Sequence, residues 1–392
     1  MRNHLLFRLF RRFLIFVLLC TFLLPVAAGS PVAEASSPFL VTDELENGGR
    51  IESLIAGMSL HEKVCQLFFL QPEQFSMSKH VYAPDETLFF DFNRYPVGGV
   101  ILFSRNIVKG KIMDLNAGMQ EAAAGVNGIG LLIGVDEEGG SISRVANKLK
   151  LVEKQPGPSR IADADQAYAS AVTIGTYLSS FGFNVNFAPV ADVRTTVKNA
   201  EMTYRCYSDD PYDVAEKVVC FVEGSHKAGI IPVLKHFPGL GAVSGNTHTG
   251  TGFSERTAED WRLAEFVPFS AGIQAMADIV MVSHQVAVNV DPDAPASLSP
   301  VVIAYLRQEL GFEGVIITDA LRMNAVKEKY DSGEACVLAL EAGADMLLLP
   351  DSFTDAYEGV MEAIESGRLT EERIDKSLCR ILTLKERYGL LP

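Results

Sequence analysis

The chain is short of the residues that build redox, metal and disulfide chemistry. Its 392 residues include only six cysteines and one tryptophan. Beyond Cys20 the cysteines are Cys65, Cys206, Cys220, Cys336 and Cys379, odd in number and scattered. No pair has zinc-ligand spacing, and the set does not make a disulfide framework. Cys65 and Cys379 fall in amphipathic helical patterns and are expected as buried thiols. No phosphate-binding glycine fingerprint follows a strand. Basic residues are scarce as well, with 34 Lys and Arg against 49 Asp and Glu. An acidic surface argues against nucleic acid and anionic membranes as partners, and it also serves solubility.

What is present suits a folded globular protein. Hydrophobic residues make up 48% of the chain and charged residues 21%, enough to bury a large core. The N-terminus stands apart. Arg2, Arg8, Arg11 and Arg12 precede an apolar run from Phe13 to Leu24, then Pro25 and small residues through Ala28. Basic, apolar, small is the order of an export signal. Cleavage points follow Ala28 or the Ala33-Glu34-Ala35 triplet. The run is short for a span of about 20 residues, though an uncleaved anchor is the alternative. We therefore expect a signal peptide or anchor over residues 1–28, a Ser/Pro/Ala-rich linker over 29–44, and one domain over 45–392. The protein is expected to be exported: periplasmic, secreted, or anchored facing outside the cytoplasm. Without residues 1–28 the balance becomes 30 basic to 49 acidic.

Short apolar runs alternate with helical patterns through the rest. The predicted strands are Gln66–Leu70, Gly99–Phe103, Leu131–Val135, Asn184–Phe187, Ile231–Leu234, Ile279–Ser283, Val315–Thr318 and Asp345–Leu349. Helix signals lie between them. Ser59-Leu60-His61-Glu62 is a capping box. Ser299-Pro300 opens a helix that Gly311 can close, and Thr370 opens the last helix before Gly389. About eight βα units predict a (β/α)8 barrel of the TIM type, with a doubly wound open sheet as the alternative. In a barrel, chemistry gathers where the strands end.

That rule selects the candidate residues. Asp136 ends the third run and is followed by Glu137-Glu138-Gly139-Gly140 and Arg144. A carboxylate there accepts sugar hydroxyls or caps a loop. Asp192 reads more as a structural residue holding a loop or an arginine. Arg205, in the same long loop, can pair with Asp136 or grip a substrate. Lys235 and His236 end the fifth run, before Phe237-Pro238-Gly239-Leu240-Gly241. His284 ends the sixth run, with ligand contact and core packing evenly balanced. Asp319 ends Val315-Ile316-Ile317-Thr318. Its carboxylate can attack an electrophilic carbon or cap the following segment. His248 is the candidate proton donor, since imidazole gives and takes protons near neutrality. Asn246, two residues earlier, can orient it but carries no charge.

These blocks resemble the single-domain β-N-acetylglucosaminidases of glycoside hydrolase family 3. The resemblance lies in Gly98-Gly99-Val100-Ile101-Leu102-Phe103-Ser104-Arg105-Asn106, in Val135-Asp136-Glu137-Glu138-Gly139-Gly140, and in Lys235-His236-Phe237-Pro238-Gly239 through His248. It continues in Thr318-Asp319-Ala320-Leu321-Arg322-Met323 and the closing helix from Arg373 to Gly389. The resemblance implies a barrel that removes terminal β-linked N-acetylglucosamine with retention, from peptidoglycan-derived fragments or chito-oligosaccharides. Asp319 matches the nucleophile and His248 the acid/base. Asp136, Arg144, Arg205, Lys235 and His236 match sugar-binding residues. Neither a metal nor an organic cofactor is implied, nor an obligate protein partner. One position departs from the pattern: the family usually has an aspartate where this chain has Asn246.

Three other readings compete. β-Glucosidases and β-xylosidases of the family commonly take their acid from a second domain. A phosphorylase can also use a histidine acid/base. A sugar-binding protein that has lost turnover is favoured only by Asn246.

Overall fold

The computed structural model describes residues 40–196, 199, 202–244 and 250–392, with side chains described from Gly49 onward. Residues 49–392 form one compact unit. Eight strands build its centre: β1 (Phe68–Leu70), β2 (Gly99–Ile101), β3 (Leu132–Val135), β4 (Val185–Asn186), β5 (Ile231–Phe237), β6 (Ile279–Val282), β7 (Val315–Thr318) and β8 (Leu347–Leu348). Every neighbouring pair is parallel, in chain order from β1 to β7, and β8 pairs with β1. A parallel bridge between Ile317 and Met346 joins β7 to β8 and closes the ring. The barrel expectation holds, and the open-sheet alternative fails on that closure.

The local signals act as read. The Ser59 side chain and Glu62 form a reciprocal cap on the helix Leu60–Gln66. Ser299 caps Pro300–Ala304, which continues into a wider turn over Tyr305–Glu309 before Gly311 turns the chain at φ 64°. Thr370 caps the last helix, Glu371–Arg387. Inside the barrel, Phe69 from β1 and Phe187 just past β4 meet edge to face at 5.3 Å. Their rings fill the space left by Gly99 and Gly134 on the strands between. Burying such a ring contributes about 1.5–3 kcal/mol.

Two expectations need correction. β5 runs to Phe237, three residues beyond the predicted end, so Lys235 and His236 belong to the strand. The Lys235 charge is tolerated there because carboxylates meet it, and His236 is hydrogen-bonded to Asp192, as described below. Cys379 is exposed, whereas Cys65 is buried. The helix Glu371–Arg387 buries the stripe Ile374, Leu378, Ile381 and Leu382, and Cys379 sits off that stripe. The predicted signal segment and most of the linker lie outside the described residues, and the helix Leu40–Gly57 covers the linker's last residues. Among the described residues no helix is long and apolar enough to cross a membrane.

Candidate active site

The C-terminal ends of the strands carry a buried charge network centred on Lys235. Its Nζ donates to Asp136 Oδ1 at 3.0 Å and lies 2.7 Å from Glu138 Oε1. Arg205 clasps Glu138 with two bonds, Nε to Oε2 at 3.0 Å and Nη2 to Oε1 at 2.8 Å. Arg144 Nε donates to Asp136 Oδ2 at 3.2 Å. Extended backbone explains the arrangement. Alternate residues point the same way, so Asp136 and Glu138 both reach Lys235. Glu137 points elsewhere and accepts from Val145 N, Ala146 N and the Tyr177 hydroxyl. It thereby caps the helix Arg144–Leu149 and fixes where Arg144 begins.

Electrostatics keep the network ionised. Burial alone would raise the Glu138 pKa, but Arg205 and Lys235 outweigh it and hold the carboxyl well below its ordinary range. Burial likewise opposes charge on Asp136, and Lys235 and Arg144 reverse the direction to a lowered pKa. For Lys235, burial would lower the pKa, yet Glu138 and Asp136 raise it above its usual value. A cation fixed between two carboxylates, one of them partly open to the mouth, is suited to grip vicinal hydroxyls.

His236 has a defined protonation pattern. Its Nδ1 lies 2.8 Å from Asp192 Oδ2, and its Nε2 lies 3.3 Å from Arg205 Nη2. A guanidinium only donates, so Nε2 must accept and the proton sits on Nδ1. His236 is therefore a neutral imidazole bridging Asp192 to Arg205. The Asp192 carboxylate also accepts from the backbone of His236 and of Leu240. The loop it holds fits tightly: a Cβ on Gly241 would meet Val193 O at 1.8 Å, so only glycine serves there.

Asp319 follows β7 at the same end of the barrel. Its backbone N–H donates to Val282 O on β6, and its Oδ1 accepts from Ala320 N at 2.7 Å. Leu321 N donates to Leu348 O on β8. The segment is thus clamped between its two neighbouring strands. No helix starts at Ala320; the next begins at Asn324. Fully buried His284 braces the turn, with Nε2 3.0 Å from Ala320 O and Nδ1 2.7 Å from Ser297 Oγ.

Five of the candidates meet in one network: Asp136, Arg144, Arg205, Lys235 and His236. Asp319 ends a strand at the same barrel face. Arg205 pairs with Glu138 and not with Asp136, the first of its two alternatives, because Lys235 and Arg144 already occupy Asp136. Glu138 was the residue missed. The signal was available, since position 138 shares the face of position 136 in an extended segment. Asp192 holds a loop, as its structural reading had it, and also sets the His236 tautomer. His248 and Asn246 lie outside the described residues. Among the described residues no cluster of His, Cys, Asp and Glu could hold a metal.

Comparison with known proteins gives this geometry a family. The chain is similar to a β-hexosaminidase of Xylella fastidiosa, 34% identical over 67% of this chain and 80% of that protein. A β-hexosaminidase of Mycobacterium tuberculosis is 29% identical over 74% and 76%. The fold is similar to a solved glycoside hydrolase family 3 β-N-acetylglucosaminidase from a Paenibacillus species, with a TM-score of 0.80 at 34% identity. That match covers 85% of this chain, which spans 63% of the Paenibacillus chain. The family model for the glycosyl hydrolase family 3 N terminal domain matches residues 59–384, and on these grounds the chain belongs to glycosyl hydrolase family 3.

Proposed function

We propose that this protein is a retaining exo-β-N-acetylglucosaminidase acting outside the cytoplasm. Its substrates on this reading are peptidoglycan-derived fragments or chito-oligosaccharides ending in β-linked N-acetylglucosamine. One observation carries the reading. A strand-mounted carboxylate, Asp319, shares the barrel mouth with the Asp136–Lys235–Glu138–Arg205 network. Relatives of similar sequence are named β-hexosaminidases, which supports the same substrate class.

The chemistry follows from those roles. Asp136, Arg144, Arg205, Lys235 and His236 orient the terminal sugar. An Asp319 oxygen attacks the anomeric carbon as the bond to the leaving oxygen breaks, and His248 gives that oxygen a proton. A covalent glycosyl-aspartate results. Water then attacks the same carbon, His248 takes its proton, and Asp319 leaves with its electron pair. Two inversions give net retention. The N-terminal basic, apolar and small sequence supports export.

The test is release of aryl alcohol from an aryl β-N-acetylglucosaminide, with and without phosphate. Wild type should yield free N-acetylglucosamine in both cases, and Asp319→Ala should be inactive. Formation of the sugar 1-phosphate would select the phosphorylase alternative. An active Asp319→Ala would remove the nucleophile assignment.

A further inference from the structure

Arg322 stands three residues past Asp319 on the same clamped segment, its backbone N–H bonded to Leu349 O at 2.9 Å. Its guanidinium carbon lies 5.3 Å from the centroid of the Phe103 ring, and its Nη1 donates to Gln71 Oε1 at 3.3 Å. Gln71 follows β1 and Phe103 follows β2, so all three share the barrel mouth. Arg144, which holds Asp136, also lies over the Phe103 ring, at 5.1 Å. One aromatic side chain therefore ties Arg322 to the sugar-gripping network while separating the two cations.

Folding leaves two features here unexplained. Arg322 is half-buried, yet among the described residues no carboxylate comes within ion-pair distance of it. Its charged neighbours are Arg105, which repels it, and the more weakly felt Asp351. Asp351 is engaged by Lys327 at 3.5 Å, and Arg105 has only a long contact with Glu73 at 3.7 Å. Beside the Arg322 contact, the Nε2 of buried Gln71 has no acceptor. A half-buried cation without a counter-ion calls for an anion, and a buried amide donor without an acceptor can share its oxygens. Both occur in a protein whose net charge is −15, where carboxylates are plentiful.

We propose that Arg322, helped by Arg105, forms a specificity subsite for a carboxylate on the leaving group of the substrate. This rests on the glycosidase reading above and deepens it. On that reading the hydroxyls of the terminal sugar are taken by residues that follow β3 and β4 and by Lys235 and His236 within β5. Arg322, Gln71 and Phe103 line the opposite arc of the mouth, past β7, β1 and β2. A group bound there therefore belongs to the next residue of the substrate. Guanidinium geometry suits a planar oxyanion, which it can meet with two parallel bonds.

The test compares two β-N-acetylglucosaminides that differ only in a carboxylate or a carboxamide on the leaving group. The readout is the ratio of their kcat/KM values within one protein, which cancels any general loss of activity. Wild type should favour the carboxylate by about tenfold, the scale of one charge-assisted bond. Arg322→Gln should bring the ratio near unity, and Arg322→Lys should retain part of it. Arg105→Gln should lower the ratio less, because that side chain is exposed. An equal ratio in wild type, or an unchanged one in Arg322→Gln, overturns the subsite while leaving the glycosidase reading intact. If wild type hydrolyses neither compound, the glycosidase reading fails and the subsite with it.

Discussion

Glu138 Oε1 lies 2.7 Å from Lys235 Nζ, and both side chains are sealed from solvent. Glu138 also accepts both bonds of the Arg205 fork. Neutralising it leaves Lys235 with Asp136 as its remaining acid partner among the described residues and takes the carboxylate from the Arg205 fork. Removing one partner of a buried pair costs about 3–5 kcal/mol, and Glu138→Ala should lose that much. Glu138→Gln should lose less, since the amide oxygen still accepts one bond. The pH dependence separates this from simple packing loss. The folded-state pKa is depressed, so the stabilisation is present above the unfolded value near 4.5 and is lost as pH falls below it. Urea midpoints of wild type should drop from pH 5 to pH 3 more steeply than those of Glu138→Gln. Parallel slopes would show that Glu138 does not fold as an ion.

Asp192 governs His236 by accepting its Nδ1 proton. Asparagine cannot replace all three of its acceptor contacts, to His236 N, His236 Nδ1 and Leu240 N. If the amide nitrogen turns to the ring, the ring proton must move to Nε2, where it opposes an Arg205 donor. Asp192→Asn should therefore raise KM about tenfold, with a smaller change in kcat. Nitrogen NMR of His236 should report a shift from the Nδ1-protonated to the Nε2-protonated form. An unchanged tautomer with raised KM would mean that the loop, rather than the ring, carries the effect.

The barrel was legible because eight apolar runs and their caps are local signals. The ends of those runs were less so. The local pattern stops β5 at Leu234, since lysine and histidine normally end a strand. It continues to Phe237 because Asp136 and Glu138 arrive past β3 to neutralise Lys235, and Asp192 past β4 accepts from His236. Such compensation is tertiary and has no trace in the local pattern. The same holds for Arg205, whose partner choice depended on how Lys235 and Arg144 filled Asp136. Cys379 was misplaced because a helical pattern gives a stripe but not its edges.

Asn246 stands where the family usually has an aspartate. An aspartate near His248 would favour the imidazolium and raise its pKa. On the proposed acid role of His248, asparagine should leave its imidazolium less stabilised than an aspartate would, so that it deprotonates at lower pH. The basic limb of the pH–rate profile should therefore move to higher pH in Asn246→Asp, with turnover at neutrality increased. Superimposable profiles would remove the electrostatic argument for that position.

Lys385 is fully buried in the last helix, and its Nζ donates to Gln66 Oε1 at 2.7 Å. Burial pushes its pKa down to about 7. Between that value and the unfolded value near 10.5 the unfolded chain holds a proton that the folded chain has lost. Stability from this group therefore rises with pH across that window, and below it the burial penalty is complete. Lys385→Met removes the ionisation but leaves Gln66 Oε1 without its donor, which costs about 1–3 kcal/mol. The absolute effect thus mixes two terms, whereas the slope does not. Denaturant midpoints of wild type should rise relative to Lys385→Met between pH 7 and pH 9.5. A constant difference across that range would mean that the ammonium stays protonated in the fold and that the Gln66 contact stabilises the charged form.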